Sequence, residues 1–229
     1  MSGGRGFSEV EILGLERRAY REGEARFDFS AVSSALLVID MQDEFVRPSW
    51  APCWVPEATR LVPRIGHLIG VCRAAGVPVI FTVLTRTSTR DRLASGTLMP
   101  DRYPDLDFDD SRHFVDGRVW HELAPLPDET VLHKPSYGAF YDTPLMTILR
   151  DLGRDTVIIC GSQTSYCGTT ARQAHERGLK VVFGSDVTAT DDPAMQEAEV
   201  MVLRKAFARV LPAAEIEVRL SAAGALRQG

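Results

Sequence analysis

Short apolar runs alternate along this chain with stretches of helical period, and no other feature narrows the fold as much. Ala35 to Asp40 (Ala-Leu-Leu-Val-Ile-Asp) is apolar at odd and even positions alike, so the strand it predicts needs cover on both faces. Glu57 to Ala75 follows, with Leu61, Ile65, Leu68, Ile69 and Cys72 at helical spacing, and Gly76 ends it before a second strand, Pro78 to Leu84. Pro63 leaves the start of that helix open. Thr130 to His133, Thr156 to Cys160 and Leu179 to Phe183 read as further strands. Helices are predicted at Thr143 to Leu152, Ser165 to Arg177 and Pro193 to Ala208. Strands that need cover on both faces, separated by helices, predict the α/β class with a parallel sheet. A length of 229 residues, 45% hydrophobic, suits one large domain.

Two segments break the rhythm. Thr85 to Gly117 is long, rich in Arg, Asp and Pro, and leaves the carboxyl end of a strand, which suits a lid, a binding loop or a subunit arm. Ser8 to Tyr20 predicts a short helix with Ile12, Leu15 and Ala19 on one face. So short a helix needs something to dock on, for example a neighbouring subunit. The chain therefore divides into an amino-terminal extension, 1–30, and a main domain, 31–229.

Net charge is -5 and the basic residues are scattered, which argues against nucleic acid as a partner. No apolar run approaches the length of a signal-peptide core or a membrane span, so the expected location is the cytoplasm and no membrane partner is expected. Four cysteines without a C-x-x-C pair are too few for a disulfide scaffold. Cys72 and Cys160, in apolar helical and strand patterns, read as small buried hydrophobes. Cys53 is ambiguous.

Cys167 differs. It opens a predicted helix directly after a buried strand, where the helix dipole and the unpartnered N–H groups of the first turn favour a thiolate and can hold an oxyanion. Asp40 and Lys134 also fall at carboxyl ends of predicted strands, the edge at which open α/β sheets bind ligands. The three types fit together: a carboxylate can take the thiol proton and pass it to a leaving amine, and an ammonium holds that carboxylate ionised. Each alone has a plainer reading, Cys167 as an inert buried thiol, Asp40 as a loop cap and Lys134 as a solvated strand end. His175 cannot serve Cys167, because eight helical residues separate them, a rise of about 12 Å. His133 should face away from Lys134.

Asp40-Met41-Gln42, Lys134-Pro135-Ser136-Tyr137-Gly138-Ala139-Phe140 and Gly161-x-x-Thr164-x-x-Cys167, in this order, resemble the isochorismatase-like cysteine hydrolase superfamily over about Ala35 to Val210. The spacing of Lys134 and Cys167 is more similar to its carbamoyl and ureido amidohydrolases than to its nicotinamidases. The resemblance implies a three-layer α/β/α sandwich with a mainly parallel six-stranded sheet, assembled as a homodimer or homotetramer. It implies Cys167 as nucleophile, Asp40 as general base and then acid, and Lys134 as the organising cation. It also implies a cis peptide between Ser162 and Gln163, with the N–H groups of Gln163 and Cys167 as the oxyanion hole. The implied reaction is hydrolysis of a small ureido, carbamoyl or carboxamide substrate through a thioester, releasing ammonia without a cofactor. Nicotinamidases of this superfamily carry an Asp-x-His and a further His for a metal. Residues 41 to 66 contain no histidine, so no metal is expected. True isochorismatases lack the cysteine.

Candidate substrate contacts are Gln42, Phe45, Trp50, Trp54, Arg86, Tyr137, Gln163 and Tyr166, with core packing or solvated-loop roles as the alternatives for Phe45, the tryptophans and Arg86. Two other functions remain open: hydrolysis with Asp40 as acid and no covalent intermediate, or a non-catalytic, redox-responsive ligand-binding protein with Cys167 as sensor. The thioester reading requires the acid, the ammonium and an accessible sulfur to meet in one cleft.

Overall fold

The computed structural model describes residues 6–22, 25–49, 54–84 and 117–225. In chain order the elements are α1 (Glu9–Glu22), β1 (Ser34–Ile39), α2 (Asp43–Val46), α3 (Pro56–Ala74), β2 (Val79–Leu84), β3 (Thr130–Lys134), α4 (Leu145–Asp151), β4 (Thr156–Ser162), α5 (Thr164–Glu176), β5 (Lys180–Ala189), α6 (Pro193–Ala206), β6 (Arg209–Leu211) and α7 (Ala213–Ala225). The six strands form one sheet in the order β3-β2-β1-β4-β5-β6, and every pairing is parallel. The chain runs outward in one direction from β1 and in the other from β4. Their shared carboxyl end is therefore the point where the strand order reverses, where a crevice is left between the loops.

Each face of the sheet carries its own apolar layer. Leu36, Val38 and Phe81 pack with Ile65, Leu68 and Ile69 of α3 and Ile216 and Leu220 of α7. Leu37, Ile39 and Ile159 pack with Leu145 and Leu149 of α4, Ala171 and Ala174 of α5 and Leu203 of α6. β1 and β4 are buried along their whole length, which is why their middles, Ala35–Ile39 and Val157–Cys160, read as apolar runs. α3 begins with Pro56 in its first turn and continues through Pro63, so the second proline does not set the boundary.

Four elements differ from the sequence reading. β5 runs on to Ala189, and β6, α2 and α7 are new. β6 and α2 are too short for a period to register, and α7 follows β6 with only Pro212 between. α1 forms and packs on α6 of the same chain, where Lys205 pairs with Glu16 at 3.2 Å. The expected docking face is not buried, since Ile12 and Leu15 are each 43% exposed. Nearly all of Thr85 to Gly117 lies outside the described residues, as do Trp50, Cys53 and Arg86. Among the described residues no helix is long and apolar enough to cross a membrane.

Candidate active site

Asp40 follows β1 directly and adopts a left-handed backbone, φ 47°, a conformation that for a non-glycine residue is held by its surroundings. Gly161 permits this corner to close. An added Cβ there would lie 2.0 Å from the Ile39 carbonyl oxygen, so β4 reaches β1 only because the side chain is absent. The Asp40 carboxylate is met from β2 and, beyond it, from β3. Lys134 Nζ, at the end of β3, stands 2.6 Å from Oδ2, with both side chains fully buried. Thr82 Oγ1 on β2 donates to Oδ1 at 2.7 Å, and Lys134 donates to the Ser136 carbonyl at 2.8 Å. Lys134 acts on the carboxylate both through its charge and through side-chain hydrogen bonding.

Cys167 lies in the same electrostatic cluster. Burial pushes its thiol well above the ordinary cysteine range, Cys160 and Asp40 push it further, and Lys134 opposes them. Burial also raises Asp40, against Lys134 and Thr82, which pull it down. Desolvation is thus the largest influence on both groups, and it works against their charged forms. This direction is opposite to the one expected of a cysteine at a helix start, and the helix geometry bears on it. α5 begins at Thr164, so Cys167 is its fourth residue, and its N–H already donates to Gln163 O at 3.0 Å. Cys167 N–H is accordingly engaged in the helix and is not an open oxyanion donor in this conformation. The Ser162–Gln163 peptide is cis.

The convergence is present, but the accessible sulfur is not: Cys167, like Asp40 and Lys134, has 0% exposure. A substrate can reach it only if part of the wall moves. Aromatic rings stand beside the ion pair. Tyr166 lies with its ring centroid 5.7 Å from Lys134 Nζ, stacks on Tyr137 at 4.6 Å and takes an edge contact from Phe45 at 6.1 Å. Tyr137 and Tyr166 are half-buried.

Of the other expected contacts, Gln42 has a structural task. Its amide accepts from Leu84 N at 2.8 Å and donates to Leu84 O at 3.2 Å and Glu44 Oε2 at 2.8 Å, tying the turn after β1 to the end of β2. Trp54 donates to Thr59 Oγ1 at 2.8 Å and belongs to the start of α3. His133 is exposed, away from Lys134, and His175 packs edge-on against Phe207. The sequence reading missed Thr82, although a single hydroxyl inside Val-Ile-Phe-Thr-Val-Leu was the available signal. It also missed Glu44, fully buried in α2. Among the described residues no three His, Cys, Asp or Glu side chains gather as metal ligands. The residues described therefore do not fit the metal that nicotinamidases of this superfamily carry.

Comparison with known proteins matches residues 34–215 to the isochorismatase domain. The chain is 35% identical to nicotinamidase 3 of Arabidopsis thaliana over 179 residues, 76% of this chain and 82% of that protein. It is 28% identical to the ureidoacrylate amidohydrolase RutB of Methylorubrum extorquens over 222 residues, 87% of each. A crystal structure of a cysteine hydrolase from Pseudomonas syringae pv. phaseolicola 1448A superposes with a TM-score of 0.77 at 29% identity, covering 89% of this chain and 99% of that one. The matched span runs from β1 through β6 and encloses Asp40, Lys134 and Cys167, and on that ground the chain belongs to the isochorismatase family of hydrolases.

Proposed function

We propose that this protein is a cysteine amidohydrolase, independent of metal, that cleaves a C–N bond of a small ureido, carbamoyl or carboxamide compound. The observation that carries the proposal is the fully buried Asp40–Lys134 pair at 2.6 Å, with the Cys167 thiol in its field at the carboxyl edge of the sheet. An aliphatic core does not gain stability from such a pair, because two desolvated ions roughly offset their own attraction. A catalytic site needs one.

In this reading burial disfavours a free thiolate, so attack and deprotonation occur together. Cys167 Sγ bonds to the acyl carbon while its proton passes to Asp40, a transfer that the raised pKa of the carboxyl assists. Asp40 returns that proton to the departing nitrogen, the C–N bond breaks and ammonia leaves. Asp40 then takes a proton from water, the hydroxide attacks the thioester carbon, and the thiol leaves with the proton restored. The Lys134 ammonium balances the charge on Asp40 through both halves. The names of two relatives, a nicotinamidase and a ureidoacrylate amidohydrolase, support the C–N class and leave the acyl group open.

The test is ammonia release from ureido acids and carboxamides by the wild type, Cys167→Ala and Asp40→Asn, with intact mass as a second readout. The expected result is loss of turnover in both variants and an acyl adduct on Cys167. A second reading, hydrolysis driven by Asp40 without a thioester, is favoured by the high pKa of the buried thiol. Turnover that survives Cys167→Ala establishes it.

A further inference from the structure

The contact between Asp40 and Lys134 reaches across a strand. Asp40 follows β1, Lys134 closes β3, and β2 lies between them in the sheet. Two strand spacings separate the backbones of β1 and β3 by about 10 Å. A 2.6 Å contact between the two side chains therefore depends on how the end of β2 is held. The ladder between β1 and β2 stops at the pair Ile39 and Thr82. Asp40 then donates its N–H to the Thr82 carbonyl at 3.1 Å and turns away in its left-handed corner. Two residues further along β2, Leu84 has no β1 residue paired with it.

Gln42 takes that place. Its Oε1 accepts from Leu84 N–H at 2.8 Å and its Nε2 donates to the Leu84 carbonyl at 3.2 Å, so the side-chain amide serves as the next peptide group of β1. Nε2 also donates to Glu44 Oε2 at 2.8 Å, and the side chain is fully buried. With both amide hydrogens engaged, Gln42 has no donor to offer a substrate. Leu84 is in turn the register partner of Lys134 on β3. One amide thus fastens the turn that carries Asp40 to the strand residue beside Lys134. We infer that Gln42 is a positioning residue for the reaction: by continuing the β1–β2 ladder past the Asp40 corner, its amide sets the distance across which Lys134 meets the carboxylate. This rests on the hydrolase reading for the task of Asp40.

The experiment compares wild type, Gln42→Met and Arg154→Met, with ammonia release from 3-ureidopropionate and nicotinamide as the assay. Arg154 is the control, a backbone clasp at the other end of β1, where its guanidinium donates to the Ala31 and Val32 carbonyls. Gln42→Met lowers kcat about 10- to 100-fold, as displaced groups do, and leaves KM within about twofold. Among the described residues, the charged and titratable groups acting with Asp40 are Lys134 on β3 and Cys167 on α5, and Lys134 pulls the carboxyl pKa down. A looser clasp weakens that pull, so the rising limb of the pH–rate profile moves to higher pH. Arg154→Met lowers the thermal midpoint and leaves kcat and the limb in place. An unmoved limb in Gln42→Met leaves a structural clasp alone, and a rise in KM with kcat intact makes Gln42 a substrate contact; either overturns the inference. If Gln42→Met does not fold, Gln42→Asn, which keeps the amide one methylene short, is held to the same readouts.

A second arm needs no turnover. Thermal midpoints of Gln42→Met, Lys134→Met and the double variant give the coupling between the two positions. A positioning role makes the fall caused by Gln42→Met smaller once Lys134 is gone. Equal falls in both backgrounds overturn the inference. If the wild type hydrolyses neither compound while the midpoints remain coupled, the hydrolase reading fails and the hold of Gln42 on the Asp40–Lys134 contact stands.

Discussion

Cys160 and Cys167 are both fully buried, both have thiols held well above their usual range, and seven positions separate them, yet they occupy different chemical worlds. Cys160 sits in the apolar middle of β4, where its sulfur makes one weak contact, 3.7 Å to the Leu37 carbonyl. Cys167 sits one turn into α5, in the field of a carboxylate and an ammonium that are as buried as itself. Burial therefore distinguishes nothing here. The difference is whether the surroundings hold a group that can take the thiol proton, and only the carboxyl edge of the sheet does.

The sharpest way to break this contrast is to remove each sulfur in turn. Cys167→Ala is expected to lower kcat by at least about 10³-fold, because a nucleophile removed from a concerted set takes the whole set with it. Cys160→Ala is expected to leave kcat within about twofold and to cost about 1 kcal/mol of stability, near the loss of one buried methyl group. Comparable rate losses in both, measured alongside thermal midpoints, would mean that the two regions do not differ as argued.

The second contrast is between the charged cluster and the apolar layers that enclose it. Lys134→Met leaves Asp40 buried without its counter-ion, which costs roughly 3–5 kcal/mol, a fall of about 6–20 °C in midpoint for a chain of this size. Adding Asp40→Asn should recover most of that stability and none of the activity. Recovery of activity in the double variant would remove the charge pair from the mechanism.

How legible this contrast was in the sequence depends on chain separation. The middles of β1, β2 and β4 are largely apolar and β3 alternates, and the charged residue that follows or closes the strand marks its end, so Asp40 after β1 and Lys134 at the end of β3 could be assigned to an edge before any contact was known. What those residues meet there could not. Thr82 reaches Asp40 across 42 positions through the register of β1 against β2. Gln42 misled for the same reason: it lies two residues from Asp40 in sequence, but its amide is claimed by the backbone of Leu84. The thiol followed suit, since a helix start lowers a cysteine pKa only if the first turn is solvated, and α5 begins three residues earlier than Cys167 in a dry layer.

A finer test separates the two oxygens of Asp40. Thr82→Val removes the hydrogen bond to Oδ1, which lowers the Asp40 pKa, and leaves Lys134 in place. Since the carboxylate is the active base, the rate rises with pH as Asp40 loses its proton, and burial already sets that limb above the usual carboxylate range. Thr82→Val moves it further up. The stability sign runs with it: an unfolded Asp40 ionises at its ordinary pKa and the folded one later, so this residue supports folding below the unfolded value and the support fades as pH rises through the folded one. A pH–rate limb that stays in place or moves down in Thr82→Val would show that the hydroxyl is not a partner of the ionised form.

The smallest expected effect comes from comparing two lysine–carboxylate pairs. Lys205 and Glu16 join α6 to α1 at 3.2 Å, with about half of each side chain exposed, whereas Lys134 and Asp40 meet at 2.6 Å with none. Both look like ion pairs in a list of contacts, but water screens the first and is absent from the second. Lys205→Met should therefore cost less than about 1 kcal/mol, and the loss should shrink in high salt. Lys134→Met should be nearly indifferent to salt, because no counter-ion reaches the buried charge it leaves behind. Thermal midpoints of both variants at low and at molar salt decide the matter: equal salt sensitivity would mean that the cluster at the carboxyl edge is hydrated after all, and that the desolvation invoked for Asp40 and Cys167 is much weaker than their burial suggests.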